Sequence, residues 1–498
     1  MDIKGFITQE TDNDKIIAEL MNGRGESVPP IDTYLAQLDP EKHDVMDEQK
    51  RPDKWVKVDE EDIADYSAND LKVVNDTSSD PTKSQRRKRR EKVARIAVAL
   101  QKLIVKRAVS FCFGNAVTLN ADIENGSREA DVLRAVRKVL TDAKGRTINR
   151  AVARAIFSST EGAELWYVVE KPTKKYGFNS KFKLRCKVLS PLKGDVLYPY
   201  FDDTGDLTAF SRQFGKKDNN NIEHTYFETY TDEMHYLWES KQSQWELVEG
   251  YPKENAIKKI PVVYGRQPQV EWADVQSLID RLEKLLSNFA DTNDYHASPK
   301  IVVKGQILRW SKKGDSGSVI EMDEDGSADY LTWSQAPESV KLEIETLLRM
   351  IYTLTQTPDI SFDSVKGLNV SGIALELMFM DAHLKVMDKC EIFDEYLQRR
   401  MAILQAYLGM MNKGDGAFSE ACETLTIEPE ITPYTLKDEQ STVNLLMNAT
   451  GNKQLVSRRR AVEILGWAED TDKEIEQIEE EENATSSMAD LFNQEPAE

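Results

Sequence analysis

The side chains able to act as nucleophiles, bases or metal ligands are thinly spread in this sequence. The five histidines are His43, His224, His235, His296 and His383. No two of them stand at a spacing that would bring both onto one metal ion. The four cysteines, Cys112, Cys186, Cys390 and Cys422, fit neither a zinc pattern nor a disulfide framework, and are expected as reduced, mostly buried thiols. There is no Gly-x-x-x-x-Gly-Lys-Ser/Thr string to cradle a nucleotide and no His-Glu-x-x-His string to hold a hydrolytic zinc. Pairs of Asp and Glu are abundant, as in any chain this acidic, so none stands out as a two-metal nuclease site. The expectation is no catalytic residue, no metal and no cofactor.

What remains is charge placed for binding. Arg86, Arg87, Lys88, Arg89 and Arg90 form a basic run that suits nucleic acid, acidic residues of a neighbour, or plain solvent. Lys304, Arg309, Lys312 and Lys313 surround Trp310, with Lys300 close by; an aromatic among cations is typical of docking surfaces, and solvent exposure is the alternative. A glycine-bearing stretch, 358–371, carries Ser361, Asp363, Lys366 and Asn369. Its one lysine gives a weak phosphate contact, or the stretch is a simple connection between helices.

The whole chain sets limits on these sets. Its 498 residues imply two or more domains. The formal net charge is −21, the wrong sign for a protein that wraps nucleic acid for affinity, and a sign that would let a duplex slide past. The segment Met1 to Lys15 is acidic and lacks an apolar stretch, so no signal peptide is expected there. No run of 18 apolar residues occurs, so no transmembrane helix is expected.

The positioning elements follow from periodicity. Residues 1–80 read as an acidic peripheral arm. The basic run reads as the start of a helix continuing through Val93, Ile96, Ala97, Leu100, Leu103 and Ile104, an unfavourable end for cations in the helix dipole. From about Glu161 to Tyr264, β-branched and aromatic runs such as 165–169, 183–189, 210–214 and 225–230 alternate with turn formers, which predicts strands and an α+β domain. Val275, Leu278, Ile279, Leu282, Leu285, Leu286 and Phe289 form one helical stripe. Val340, Ile344, Leu347, Leu348, Ile351 and Leu354 form a second. On the faces opposite, Asp280, Glu283, Lys284, Glu343 and Glu345 read as a charged exterior. Thr357-Pro358 ends the second helix. A third long helix follows from Ile373 through Leu377, Met380, Leu384, Met387, Cys390, Leu397, Met401, Leu404 and Leu408, closed by Gly414-Asp415-Gly416. The C-terminal part is helical and ends in an acidic tract from Glu469 to Glu482.

In this order the segments resemble the portal proteins of long-tailed phages. The carriers are "EWADVQSLIDRLEKLLSNFADTND" (271–294), "IVVKG" (301–305), "YTLTQTPD" (352–359), "LNVSGIALE" (368–376) and "LVSRRRAVEILGWAEDTDKEIEQIEEE" (455–481), with Ile260-Pro261-Val262 ahead of them. The acidic arm and the Arg86–Arg90 run are not part of that pattern. The resemblance implies an α+β portal fold: a mainly helical stem and crown, an α/β wing and a small β-containing clip. It divides the chain into an arm (1–80), wing (81–270), first stem helix (271–296), clip (297–336), second stem helix (337–357), tunnel loop (358–371), long wing helix and connection (372–430), and crown with acidic tail (431–498). It implies a homo-oligomeric ring, twelve subunits in most members, at one capsid vertex of a virion assembled in the host cytoplasm. Double-stranded DNA would pass through the channel, faced by the tunnel loop. The clip would dock the terminase large subunit and the head–tail adaptor. Major capsid and scaffold proteins would be further partners, and no membrane. Another head–tail connector protein, or a nucleic-acid-processing enzyme, are the competing classes.

Overall fold

The structure is a computed structural model. It describes every residue except 1, 58–66, 68–69, 76–84, 125, 297–300, 305–306, 311–319, 323–326, 331–335, 360–376, 436–438, 452–454, 469–472 and 482–498. The chain divides into a large unit, Met1–Asp359 with Asp381–Tyr434, and a small one, Ile360–Met380 with Thr435–Glu498.

The large unit mixes helix and sheet, as the alternation of patterns predicts. Strands β5 (Glu161–Thr173), β6 (Ser180–Leu189) and β13 (Val262–Arg266) form one antiparallel sheet in the order β13-β5-β6. Strands β7 (Val196–Phe201), β8 (Leu207–Lys217), β9 (Glu223–Tyr230), β10 (Met234–Lys241) and β11 (Gln244–Leu247) form a second, in sequence order, with β12 (Lys253–Glu254) added to β10. The expected strand runs all fall in these elements. Between the two sheets lies a core of Leu165, Leu189, Leu197, Phe210 and Val262.

The first 22 residues are not a peripheral arm. Helices α1 (Ile3–Gln9) and α2 (Asn13–Asn22) are capped by Asp2 and Asp12, whose carboxylates accept from Lys4 N–H and Asp14 N–H. Ile3, Ile7, Ile16, Ile17 and Leu20 are buried with Tyr198, Phe227 and Trp238 on the second sheet. The acidic composition concealed a short apolar stripe, and burial of that stripe outweighs the charge around it. A third helix, α3 (Ile31–Leu38), follows Pro29-Pro30.

The basic run is a strand, not a helix start. β3 (Gln85–Glu91) lies between β1 (Lys54–Lys57) and β2 (Leu71–Asn75) in an antiparallel sheet. Residues 92–99 form neither helix nor strand, and α4 (Leu100–Phe113) begins only at Leu100. The charges thereby avoid the positive end of a helix.

Helices α5 (Arg128–Ala143) and α6 (Gly145–Ser159) follow a short strand, β4 (Thr118–Asn120). Helices α7 (Gln276–His296) and α8 (Ala336–Leu354) bracket four short strands: β14 (Ile301–Lys304), β15 (Ile307–Trp310), β16 (Ile320–Met322) and β17 (Ser327–Tyr330). These pair as β14-β17 and β15-β16.

Helix α9 (Met380–Met411) has 32 residues, about 48 Å at 1.5 Å per residue. Its C-terminal half is core: Arg400 meets Glu164 at 2.6 and 2.8 Å, and Tyr407 Oη donates to the Trp166 carbonyl at 2.9 Å. Its N-terminal half departs from the expected stripe. Ala382, Lys385, Val386 and Phe393 are the buried positions, while Leu384 and Met387 are 48% and 68% exposed. Helix α10 (Gly416–Thr424) starts at an Asp415 cap, so the Gly-Asp-Gly triplet separates two helices. β18 (Glu428–Glu430) then pairs with β4.

The small unit contains α11 (Glu439–Thr450) and α12 (Arg458–Leu465), the latter capped by Ser457. A further helical stretch covers 473–481 in the acidic tract.

Candidate functional site

The α7–α8 pair is built as the two stripes predict. Val275, Ile279, Leu282 and Leu285 of the first, with Leu347 and Ile351 of the second, are buried. Arg281 bridges to Glu343 at 2.7 Å on the surface between the helices. Leu354, assigned to the second stripe, is instead 56% exposed.

Glu283 is a correction. It was expected on the charged exterior, yet its side chain is buried. His43 Nδ1 lies 2.6 Å from its Oε1, and His43 Nε2 lies 2.8 Å from the Gln37 carbonyl. Both partners are acceptors, so both ring nitrogens donate and the ring is an imidazolium. Burial alone would push the His43 pKa down; the hydrogen bond and the charge of Glu283 outweigh it, and the pKa is raised.

Glu283 is also the first rung of a ladder. Its Oε1 accepts from Val98 N–H at 2.9 Å, Ser287 Oγ from Ile96 N–H at 2.9 Å, and Asp291 Oδ1 from Ala94 N–H at 2.6 Å. Four residues of helix rise ~6.0 Å and two residues of extended chain span ~6.6 Å, so every fourth α7 side chain meets every second amide. The segment runs against the helix direction and leaves none of these three amides unpaired. Arg51 completes the attachment, reaching Asn288 and Asp291, each at 2.8 Å. No periodicity signals this ladder, because two of its three rungs are charged residues inside an apparently solvated face.

A second polar cluster joins the roots of both helices to α9. Lys385 Nζ lies 2.6 Å from Glu271 and donates to the Thr355 carbonyl at 2.9 Å, while Lys389 lies 3.0 Å from Glu271. Burial would raise the Glu271 pKa, but the two ammonium groups hold it below the usual range. On α4, Arg107 donates to the Pro358 carbonyl at 2.5 Å. The chain therefore leaves α8 at a point fixed from two other helices.

The expected binding sets fare unequally. Arg90 is already engaged, 2.6 Å from Asp53 and 3.4 Å from Glu48. Burial would raise the Asp53 pKa, but the Val93 amide and the Arg90 and Arg95 side chains hold it low. Lys88 and Arg89 are half-exposed on the central strand. Arg86 and Arg87 stand in register with Val74 and Val73 of β2. Lys304 is exposed at the end of β14. Arg309 and Trp310 pair in β15 with Glu321 and Ile320. Lys312 and Lys313, and all four loop residues Ser361, Asp363, Lys366 and Asn369, lie outside the described residues.

Among the described residues no group of three or more His, Cys, Asp or Glu is placed to hold a metal. Cys112 and Cys422 are buried, their thiols pushed up to about 12 by desolvation, while Cys186 and Cys390 are half-buried. Among the described residues no helix is long and apolar enough to cross a membrane.

Residues 49–488 match the model of one family, "Phage portal protein, SPP1 Gp6-like". The chain belongs to the phage portal protein family. That match takes in both bracketing helices, the strands between them and α9. Solved structures similar to the chain include "Neck of empty GTA particle computed with C6 symmetry" (TM-score 0.40, 12% identity, covering 74% of this chain and 89% of that one). A chain of "Virion of native gene transfer agent (GTA) particle" has TM-score 0.37, 12% identity, and coverage of 74% and 88%. A chain of "Neck of native GTA particle computed with C12 symmetry" has TM-score 0.38 with the same identity and coverage. Likenesses this low carry no functional argument. Among curated proteins none matches.

Proposed function

We propose that this chain is the subunit of a closed portal ring at one vertex of a phage capsid, the channel through which DNA is packaged and ejected. The observation that carries the reading is the α7–α8 pair bracketing a small β-containing insert, in a chain that belongs to the portal family. In this reading α7 and α8 are the stem. The insert 297–336 is the clip, docking the terminase large subunit and later the head–tail adaptor through Lys304, Arg309, Trp310, Lys312 and Lys313. Twelve copies form the ring, which also contacts major capsid and scaffold proteins. Lys366 and its neighbours face the duplex.

The part played is passive. The terminase supplies the force, and the net charge of −21 keeps the channel from holding DNA tightly. No bond is made or broken by this chain. The test is electron cryo-microscopy of the purified protein. Cone-shaped rings with a central hole wide enough for a duplex are expected. A monomer or compact dimer at every concentration would sink the reading.

A further inference from the structure

The charge of this chain is unevenly distributed, and the faces of two helices carry the imbalance. Between Arg128 and Ser159 stand eight Lys or Arg against three Asp or Glu, a local excess of cations in a chain whose total is −21. On α6, Arg146, Arg150 and Arg154 are all exposed at i, i+4 and i+8, so they form one row. The row starts at a cavity of about 730 Å³ floored by Leu119, Leu397 and Met401 and rimmed by Arg137, Lys144 and Arg146, with no Asp or Glu in its lining.

Helix α9 presents the complement. Asp381, Leu384, Asp388, Glu391 and Glu395 are exposed at successive steps of three, four, three and four, one continuous stripe. Met387 stands beside it, 68% exposed. The two helices also touch each other: the Phe157 and Phe393 rings are 5.9 Å apart and Arg400 reaches Asn149 at 2.5 Å. On α9 the acidic stripe lies on the face away from that contact, since Phe393 and Arg400 are buried on the other side of the helix. A basic surface and an acidic one on the same chain complement each other between copies, the heterologous pairing from which rings are built.

We propose that the arginine row and cavity of one copy receive the acidic α9 stripe of the next, with Leu384 and Met387 seated over the apolar floor. This rests on the ring reading and names its subunit contact. A nucleic acid duplex would use the cations but has no side chain for an apolar cavity, so a second copy is the better occupant.

The experiment uses the full chain in four forms: wild type, Arg146→Glu/Arg154→Glu, Asp388→Arg/Glu391→Arg, and all four changes together. Ring content is read by native mass spectrometry and electron microscopy, and folding by circular dichroism and thermal melting. Each double variant is expected to fold as wild type and to lose rings by roughly tenfold or more, because like charges then face each other. The quadruple variant, and an equal mixture of the two double variants, should regain them. Wild-type rings together with unimpaired rings in both double variants would overturn the proposal and leave the ring reading standing. Intact rings with DNA uptake lost only in the arginine variant would overturn it in favour of a phosphate surface. Loss of rings without recovery in the quadruple variant or the mixture would also overturn it. Absence of rings in the wild type would remove the ring reading itself.

Discussion

His43 shows what a single residue contributes and why it escapes notice in the sequence. A lone histidine in an acidic segment has no pattern around it. Its role comes from Glu283, 240 positions away, and from the Gln37 carbonyl on its other side. The folded-state pKa lies above the ordinary 6.5, so the stabilisation is fully present below ~6.5 and is lost as pH rises through the raised value. Asp280 and Asp44 lie nearby and add to the negative field on this face of α7. Replacing His43 with Gln should abolish that pH dependence. Replacing it with Ala should cost about 3 kcal/mol at mildly acidic pH, since the buried Glu283 then loses its counter-charge. Denaturant titrations of the variants and wild type over a range of pH check both. A wild-type profile that stays flat through neutral and alkaline pH would contradict the imidazolium assignment. The residues that were legible by type behave differently: Arg90 was visible as a cation, but its engagement with Asp53 was not.

At the scale of elements, regular apolar spacing was readable and polar docking was not. The α7 and α8 stripes, the strands between 161 and 266, and the C-terminal half of α9 follow from periodicity, because burial of apolar surface is what makes those elements persist. The two failures have one cause. The arm and the basic run were read from charge, which says where a segment is solvated only when no partner is present. The segment 92–99 is held by side chains of another element, and a sequence-local rule cannot see that element. The ladder makes a defined prediction. Ser287→Ala leaves the Ile96 amide without its acceptor, a loss of about 1–3 kcal/mol felt locally. Hydrogen exchange at Ala94, Ile96 and Val98 should accelerate, and exchange in the β7–β11 sheet should not. Unchanged exchange at Ile96 would mean the segment is fixed by something other than the ladder. Asp291→Asn should be milder, because the amide oxygen can still accept from Ala94 while the charge facing Arg51 is lost.

For the whole molecule, the proposed ring raises the question of how a chain with a net charge of −21 would handle DNA. Tight neutralisation of phosphates would stall a moving duplex, and the balance of charge here opposes it. A sparse set of cations against a repelling background is suited to guidance. Lys366 is the one lysine of the 358–371 stretch, so in a ring it recurs once per subunit. The buried Glu271–Lys385–Thr355 cluster fixes the chain just before that stretch begins. Lys366→Glu should leave ring assembly intact, since Lys366 is not among the α6 and α9 residues proposed to join subunits. If the proposed phosphate contact of Lys366 holds, the substitution should reduce the DNA packaged per particle. Lys366→Arg should retain packaging, because the charge and its reach are kept. Measurement of packaged DNA length in particles carrying each variant separates the outcomes. Wild-type packaging with Lys366→Glu would show that the stretch connects two helices and does no more. A loss shared equally by the Glu and Arg variants would point to shape at that position, with its charge playing no part.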